Sequence, residues 1–258
     1  LQNNTTGDSN VAIGFAAMQT NVDGDRSVAV GYNALFTQEP ASNVDMYNTA
    51  IGYSAGYATT TATHNTLIGG LAGDALTTGA SNVAVGYGAL TTEDVGQHNV
   101  AIGRDALSAQ NTASAANIYN TAVGSSAGVS VTTGTRNTII GGLAGDATTT
   151  GNYNSFVGYS SGGANTTASY NTALGDNSLL VNTTGASNVA VGQAALGSNT
   201  TASNNTAVGY SSLNSNTTGT DNVAVGSNAA DANTTGTDNT AIGDNALGAN
   251  TTASYNTA

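Results

Sequence analysis

Residues that could carry out chemistry are few in this sequence of 258 residues. Its ionisable side chains include two histidines, His64 and His98, and fifteen acidic residues, and it has no cysteine. Catalytic sites combine such residues in defined patterns, for example Ser-His-Asp, paired carboxylates or a His-x-x-His pair. None of these patterns surrounds either histidine. We therefore expect a protein that is not an enzyme, that has no catalytic residues and that requires no cofactor.

One short motif raises the question of a calcium site. The sequence GGLAGD occurs at 69–74 and again at 141–146, and it is similar to the nonapeptide G-G-x-G-x-D of calcium-binding β-rolls. Alanine stands where the third glycine of that motif belongs, and the motif does not run in tandem. The pattern therefore favours a tight turn lined by glycine, and Asp74 and Asp146 are kept as the only candidate calcium ligands.

A repeat of 17 residues must position these side chains. Each copy contains a V-A-V-G-like stretch, and its closing glycine recurs every 17 residues apart from two steps of 21. A composition rich in Asn, Thr, Gly, Ala and Ser is typical of disordered linkers, but a linker has no reason to hold this phase. A short fixed period predicts a solenoid, in which stacked coils bury one another's apolar residues. The repeat glycines are Gly14, Gly31, Gly52, Gly69, Gly86, Gly103, Gly124, Gly141, Gly158, Gly175, Gly192, Gly209, Gly226 and Gly243.

An asparagine stands four residues before most of these glycines. Stacked asparagine side chains can hydrogen-bond to the coils on either side, and asparagine tolerates turn geometry. The sequence therefore predicts a structural ladder. Its members are Asn48, Asn65, Asn82, Asn99, Asn120, Asn137, Asn154, Asn171, Asn188, Asn205, Asn222 and Asn239.

The three residues between the asparagine and the glycine predict a β-strand. They read Val or Thr, then mostly Ala, then an aliphatic residue, which is a two-residue alternation rich in β-branched side chains. The alanine column leaves two interpretations open, a close contact with another chain or the narrow interior of the same coil. The Ala-Leu stretch after the glycine predicts a second short strand as the opposite wall, and the following N-T-T-G predicts a turn.

The fold class predicted is an all-β parallel β-roll or β-solenoid of about 14 coils, forming one array over residues 1–258. The array is cut in mid-coil at both ends, so we expect a segment of a longer protein. The two longer steps each insert four residues. We expect the regions of about 36–46 and 108–118 to be loops that project from the coils.

Tyrosines concentrate in two positions of the repeat. One position directly precedes the ladder asparagine, which places its residues, including both histidines, at a turn edge exposed to solvent. The other directly follows the glycine. Exposed aromatic rows could stack on sugars or pack between chains. The candidate surface contacts in the second position are Tyr32, Tyr53, Tyr87, Tyr159 and Tyr210.

The charge of the chain excludes several partner classes. The formal net charge is -12, with Arg26, Arg104 and Arg136 as the only arginines and no lysine. A basic surface for nucleic acid or for anionic lipid is therefore missing. No apolar run approaches the roughly 18 residues of a membrane helix. We expect neither nucleic-acid binding nor membrane insertion.

The stretches SNVAIG at 9–14, SNVAVG at 81–86 and DNVAVG at 221–226 resemble the head repeats of trimeric autotransporter adhesins. The longer phrase N-T-A-V-G-Y…N-T-T-G is similar to arrays in tail-fibre-like proteins. The resemblance covers the whole chain and implies a left-handed parallel β-roll with three chains side by side. The chain departs from the adhesins in its longer period and in having asparagine where they have serine.

Together these features predict a structural or adhesive repeat segment of an extracellular fibre on a cell surface or virion. Its partners would be copies of itself, as a homotrimer or filament, and a host surface glycan or receptor. Two alternatives remain. Recurrent Thr pairs in N-T-T could form an ice-binding or other surface-binding solenoid, and the chain could be the subunit of a self-assembling extracellular filament.

Overall fold

The computed structural model describes residues 1–114 and 116–258; Ala115, inside the second predicted loop, lies outside the described residues. Within them the chain is all-β, without a helix, and folds as a parallel β-solenoid of about fourteen coils. It divides into two compact units, Leu1–Thr133 and Gly134–Ala258, which are called unit 1 and unit 2. The predicted fold class is confirmed in both.

Each coil contributes one strand of three residues to a parallel sheet. In unit 1 the strands follow chain order: β1 (Val11–Ile13), β3 (Val28–Val30), β5 (Thr49–Ile51), β6 (Thr66–Ile68), β7 (Val83–Val85), β8 (Val100–Ile102) and β9 (Thr121–Val123). A separate two-stranded parallel sheet pairs β2 (Gly24–Asp25) with β4 (Val44–Asp45).

Unit 2 repeats this arrangement without an insertion. Its strands, again in chain order, are β10 (Thr138–Ile140), β11 (Ser155–Val157), β12 (Thr172–Leu174), β13 (Val189–Val191), β14 (Thr206–Val208), β15 (Val223–Val225) and β16 (Thr240–Ile242). In both units every strand residue pairs with its equivalent in the next coil, as Val83 does with Val100. Equivalent residues therefore line up in columns.

The repeat glycines end the strands for two physical reasons. Their φ angles lie between 126° and 142°, a region that other residues rarely adopt. Neighbouring glycines also approach one another closely, so that a Cβ added to Gly52 would lie 2.5 Å from the carbonyl oxygen of Gly69. No side chain fits between coils at this column, which explains why glycine recurs there.

The alanine column faces the interior of the coil, which decides between the two interpretations left open by the sequence. The middle residues of the strands, such as Ala29, Ala84 and Ala207, are fully buried within the chain itself. Strand alternation then turns the first and third residues outward. The interpretation of the alanines as a contact between chains is wrong, because this narrow interior is already filled by the opposite wall.

The opposite wall is not the second short strand that the sequence predicts. Its residues alternate between left-handed and right-handed backbone, as at Asn33 (φ 58°) and Leu35 (φ 47°). The amide of Asn33 donates to Phe15 of the preceding coil and that of Leu35 donates to Ala55 of the next, each at 3.0 Å. The left-handed conformation costs about 1–2 kcal/mol per residue. Burial of leucines such as Leu35 offsets this cost.

A large side chain on one wall of the coil is matched by a small residue on the other wall. Where the strand carries Leu67 instead of alanine, the opposite wall carries Gly56 and Gly73, and a Cβ on either would lie 2.7 Å from a Leu67 methyl group. Phe156 in unit 2 likewise packs against Gly162. Many coils with alanine in the strand, such as that of β7, carry a buried leucine opposite, whereas the coil of β5 is small on both walls and is filled in part by Leu67 of the next coil. The interior is therefore filled by different residues from coil to coil.

The two insertions are more integrated than the sequence predicts. Within 36–46, Gln38 and Met46 are fully buried, and only the tip at 41–44 is exposed. Within 108–118, Gln110 and Ile118 are buried. Each glutamine reaches a ladder asparagine, because its Oε1 accepts from Nδ2 of Asn48 at 3.0 Å or of Asn120 at 2.8 Å. The insertion ends thus complete their coils, and the β2–β4 pairing holds the first one in place.

Candidate functional site

The outer side of each strand sheet carries an exposed row of aliphatic side chains, which we call the aliphatic face. The residue before each repeat glycine points outward. Examples are Ile13 and Ile51 in unit 1, exposed by 59% and 40%, and Ile242 in unit 2, exposed by 63%. Because this row continues over successive coils, it forms a contiguous apolar surface within each unit. Surfaces of this kind mark interaction sites in soluble proteins.

One border of the aliphatic face is the position directly after the repeat glycine, which we call the glycine-side edge. All five tyrosines predicted as surface contacts lie there and are exposed, with Tyr53 and Tyr87 at 59%. In unit 1 the rings stack from coil to coil. The Phe15 and Tyr32 centroids are 5.2 Å apart and those of Tyr32 and Tyr53 are 5.5 Å apart.

The other border, which we call the asparagine-side edge, is the position directly before the ladder asparagine. The rings of Tyr47 and His64 lie 5.3 Å apart and those of His98 and Tyr119 lie 5.2 Å apart. In unit 2, Tyr153 and Tyr170 stack at 5.1 Å. Sequence reasoning assigned these residues to a turn edge in solvent and missed the stacking. The recurrence of rings and cations at one repeat position was the available signal.

Two arginines extend these stacks. Arg26 lies over the Tyr47 ring at 5.9 Å, and Arg136 lies over the Tyr153 ring at 5.2 Å. Arg26 also forms an ion pair with Asp45, and this hydrogen-bonded carboxylate raises the pKa of Arg26 above its ordinary value. The residues of this edge have left-handed backbone, with φ near 60°. The same conformation occurs at Ser81 of this edge, so it belongs to the coil and the exposed row of rings is set by residue choice.

The asparagine ladder lies inside the coils and takes no part in this surface. The Oδ1 atom of Asn82 accepts the Asn99 amide at 2.9 Å, and its Nδ2 donates to the Gly96 carbonyl at 2.9 Å. The same pair of bonds recurs along the predicted column, for example at Asn205. Buried amides satisfied in this way hold adjacent coils in register.

A second buried ladder, which the sequence analysis treated as a turn, runs through the asparagines of N-T-T-G in unit 2. The Nδ2 atom of Asn199 donates to Oδ1 of Asn182 at 2.9 Å, and Asn216 repeats this bond to Asn199 at 3.0 Å. In unit 1 the equivalent column is mixed and contains the buried carboxylate of Glu93. Glu93 accepts from Gln110 at 3.0 Å and from the Gly96 amide at 2.8 Å. The sequence offered no signal for this residue beyond its place in the repeat.

The two candidate calcium ligands each stand singly in their own unit. The Asp74 carboxylate accepts a hydrogen bond from the Thr91 hydroxyl. Asp146 is half-buried, and this burial raises the pKa of its carboxyl above the ordinary value, against two backbone hydrogen bonds that lower it. In the part of the chain that the structure describes, no three His, Asp or Glu side chains converge in a way that could hold a metal ion.

The described residues enclose no pocket, so the exposed surfaces above are the candidate site. Those residues also include no helix with the length and hydropathy of a membrane span. Comparison of the chain with protein-family models, with curated proteins and with solved structures found no match in any of the three.

Proposed function

We propose that the chain is a structural and adhesive repeat segment of an extracellular fibre on a cell surface or virion, without catalysis. In this proposal three copies associate through their aliphatic faces. The observation that carries it is the outward aliphatic residue of each coil, exposed at Ile51, Ile68 and Ile102 and half-buried at the intervening Val85 in unit 1. Removing such a surface from water stabilises association by about 25 cal/mol per Å² of apolar area.

The resemblance of SNVAIG and SNVAVG to the head repeats of trimeric adhesins supports the same proposal. The outward Val and Ile of these motifs supply the aliphatic face, and the inward Ala fills the coil. The surface between copies is therefore proposed at the first and third strand positions. This replaces the alanine column, which is already buried within each chain.

The adhesive partner, a host glycan or receptor, would meet the exposed tip of the first insertion. Residues 41–44 are exposed there, and the following Asp45 is fixed by Arg26 and by the Tyr47 hydroxyl at 3.2 Å. Recognition residues are commonly carried on loops that a rigid scaffold positions. The net charge of -12 would limit unspecific lateral aggregation of such a fibre.

The association is tested by placing a charge on the aliphatic face. We expect the wild-type chain to have the native mass of three copies by light scattering. The double variant Ile51→Asp and Ile68→Asp should be monomeric, because burying unpaired carboxylates is costly. The matched control Thr61→Asp adds a charge at an exposed turn and should remain trimeric. An unchanged mass in the double variant would rule out this face, and open-ended filaments in negative stain would favour the filament alternative.

A second candidate function, ice or surface binding, rests on an exposed threonine row in unit 2. The hydroxyl of the first threonine of each pair is hydrogen-bonded to the next coil, as the Thr200 hydroxyl donates to the Thr217 carbonyl at 3.1 Å. The second threonine is exposed in successive coils, as at Thr184, Thr201 and Thr218. Thermal hysteresis near the freezing point that disappears in a Thr201→Lys and Thr218→Lys variant would favour this candidate, and its absence in the wild type would leave the fibre proposal.

A further inference from the structure

The two edges of the aliphatic face complement each other coil by coil in unit 1. The residues at the asparagine-side and glycine-side edges of its seven coils form the pairs Ser9/Phe15, Arg26/Tyr32, Tyr47/Tyr53, His64/Gly70, Ser81/Tyr87, His98/Arg104 and Tyr119/Ser125. Every coil carries an aromatic or imidazole ring at one edge or the other. Only the coil of Tyr47 and Tyr53 carries a ring at both.

Each edge is interrupted where the other edge has a ring. Ser81 interrupts the asparagine-side edge between His64 and His98, and the same coil places Tyr87 at the opposite edge. Gly70 interrupts the glycine-side edge between Tyr53 and Tyr87. Adjacent rings in these columns stack at 5.2–5.5 Å from coil to coil, so one missing ring leaves a gap one ring wide.

Among the described residues, no ring pair of the chain itself spans the gap over Ser81 or the gap over Gly70. The Tyr87 ring borders Gly70, since a Cβ there would lie 3.4 Å from it, and glycine contributes no side chain to stack on that ring. The two edges of one coil are separated by five residues, Asn82 to Gly86, and the three-residue strand within them alone spans about 10 Å at about 3.3 Å per residue. Tyr87 therefore cannot fold back onto Ser81 of its own chain.

A second copy of the chain carries rings with the same spacing as these gaps. Copies related by a rotation axis parallel to the coil stack keep equivalent coils at the same level. Such a heterologous arrangement places the asparagine-side edge of one copy against the glycine-side edge of the next. An antiparallel two-fold pair would instead bring unlike coils together and lose the match.

We propose that the two aromatic edges of neighbouring copies interlock in this way, with the Tyr87 ring of one copy entering the gap over Ser81 of the next, between His64 and His98. Likewise His64 enters the gap over Gly70, between Tyr53 and Tyr87. This inference rests on the self-association proposed above and identifies the residues that fix its register. The occupant is a second copy because only an identical repeat supplies a ring at every gap with the same spacing.

Covalent trapping tests the register, and the cysteine-free chain makes it specific. The variant Tyr119→Cys with Ser125→Cys places both thiols on one coil at opposite edges. Under mild oxidation it should give covalent dimers and trimers on a denaturing gel. The control Ser81→Cys with Ser125→Cys separates the thiols by two coils, or about 9.5 Å, beyond disulfide reach. It should remain monomeric on that gel, and equal trapping in both variants would overturn the proposal.

A fluorescence experiment distinguishes failure of the interlocking edges from failure of the self-association proposed above. The chain has no tryptophan, so Tyr87→Trp introduces a single fluorescent reporter and replaces one aromatic ring by another. Its emission should shift to the blue in the assembled form and return to the red on dilution to monomers. The control Tyr57→Trp replaces a ring that stacks on Phe36 outside the two edges, and its emission should not change with assembly.

Two results are decisive in that experiment. A trimeric Tyr87→Trp protein whose emission stays that of a solvent-exposed indole would overturn the interlocking edges and leave the self-association intact. A wild-type chain that is monomeric at every concentration would overturn both proposals.

Discussion

Buried asparagine side chains connect neighbouring coils through two hydrogen bonds at once. The Oδ1 atom of Asn82 accepts the backbone amide of Asn99, and its Nδ2 atom donates to the Gly96 carbonyl. The side chain is fully buried. Because both partners are backbone groups of different segments, loss of one asparagine leaves an unpaired donor and an unpaired acceptor.

Replacement of Asn82 by alanine should lower stability strongly. Two buried backbone groups lose their partners, at about 1–3 kcal/mol each. We expect a fall of about 2–6 kcal/mol in the free energy of unfolding, measured from urea transitions followed by circular dichroism. The control Thr61→Ala, at an exposed turn, should change it by less than about 0.5 kcal/mol. Equal effects of the two variants would contradict the role of the ladder.

Replacement of Asp146 by asparagine should raise stability at neutral pH. Burial raises the pKa of this carboxyl in the folded state, so folding favours its neutral form. Its contribution to stability is fully present below the unfolded pKa of about 3.9 and is lost as pH rises through the folded pKa. The variant should therefore melt higher than wild type at about pH 7 and gain nothing at about pH 3. A gain of the same size at both pH values would contradict this account.

The two walls of a coil share one interior volume, which links residues of the strand to residues of the opposite turn. The coil of β6 has Leu67 in its strand and Gly73 opposite, and the coil of β7 has Ala84 and Leu90 in the reverse order. Both arrangements place one leucine at this pair of positions. The volume shared by neighbouring side chains, rather than the residue type at any one position, is therefore what the interior must satisfy.

Exchanging the large and the small residue at positions 67 and 73, in the coil of β6, should recover the stability that each single change loses. Leu67→Ala opens a cavity and should cost about 2–5 kcal/mol. Gly73→Leu overfills the coil, since even a Cβ would lie 2.7 Å from Leu67 Cδ2. The double variant has the residues of the coil of β7 at these two positions, with Leu76 still beside position 73, and should be more stable than either single variant. Thermal melting of the four proteins measures this coupling, and simple additivity of the two losses would contradict the shared interior.

Much of the fold, and less of the site, is readable from the sequence. The glycine and asparagine columns recur with a fixed period, so their roles follow from the pattern. The inward direction of the Ala84 side chain, between Val83 and Val85, does not follow from the pattern, because the residues on both sides of the strand are apolar. The left-handed wall is occupied by glycine in some coils, as at Gly73, but by leucine at the equivalent Leu90, so residue type does not signal its backbone conformation. The gap over Ser81 depends on stacking between coils, which the order of residues along the chain does not display.

At the scale of the whole molecule, a strongly acidic chain carries extended apolar faces. The net charge of -12 opposes close approach of copies over long distances, whereas the aliphatic face favours it at contact. These two effects differ in their dependence on ionic strength, since salt screens the charge and leaves the apolar contact in place.

Association should therefore strengthen with salt. Between about 0.01 M and about 1 M ionic strength the screening length falls from about 30 Å to about 3 Å. We expect the concentration needed for half-assembly, measured by sedimentation, to fall over this range. The double variant Ile51→Asp and Ile68→Asp should remain monomeric throughout. Dissociation of the wild-type assembly by salt would indicate ionic contacts in place of the aliphatic face.

The native mass of the wild-type chain, measured by light scattering over a dilution series, decides whether copies of the chain associate. We expect three times the chain mass of 25.2 kDa at high concentration, with dissociation on dilution. A mass of 25.2 kDa at every concentration would contradict it, because the aliphatic face would then remain in water.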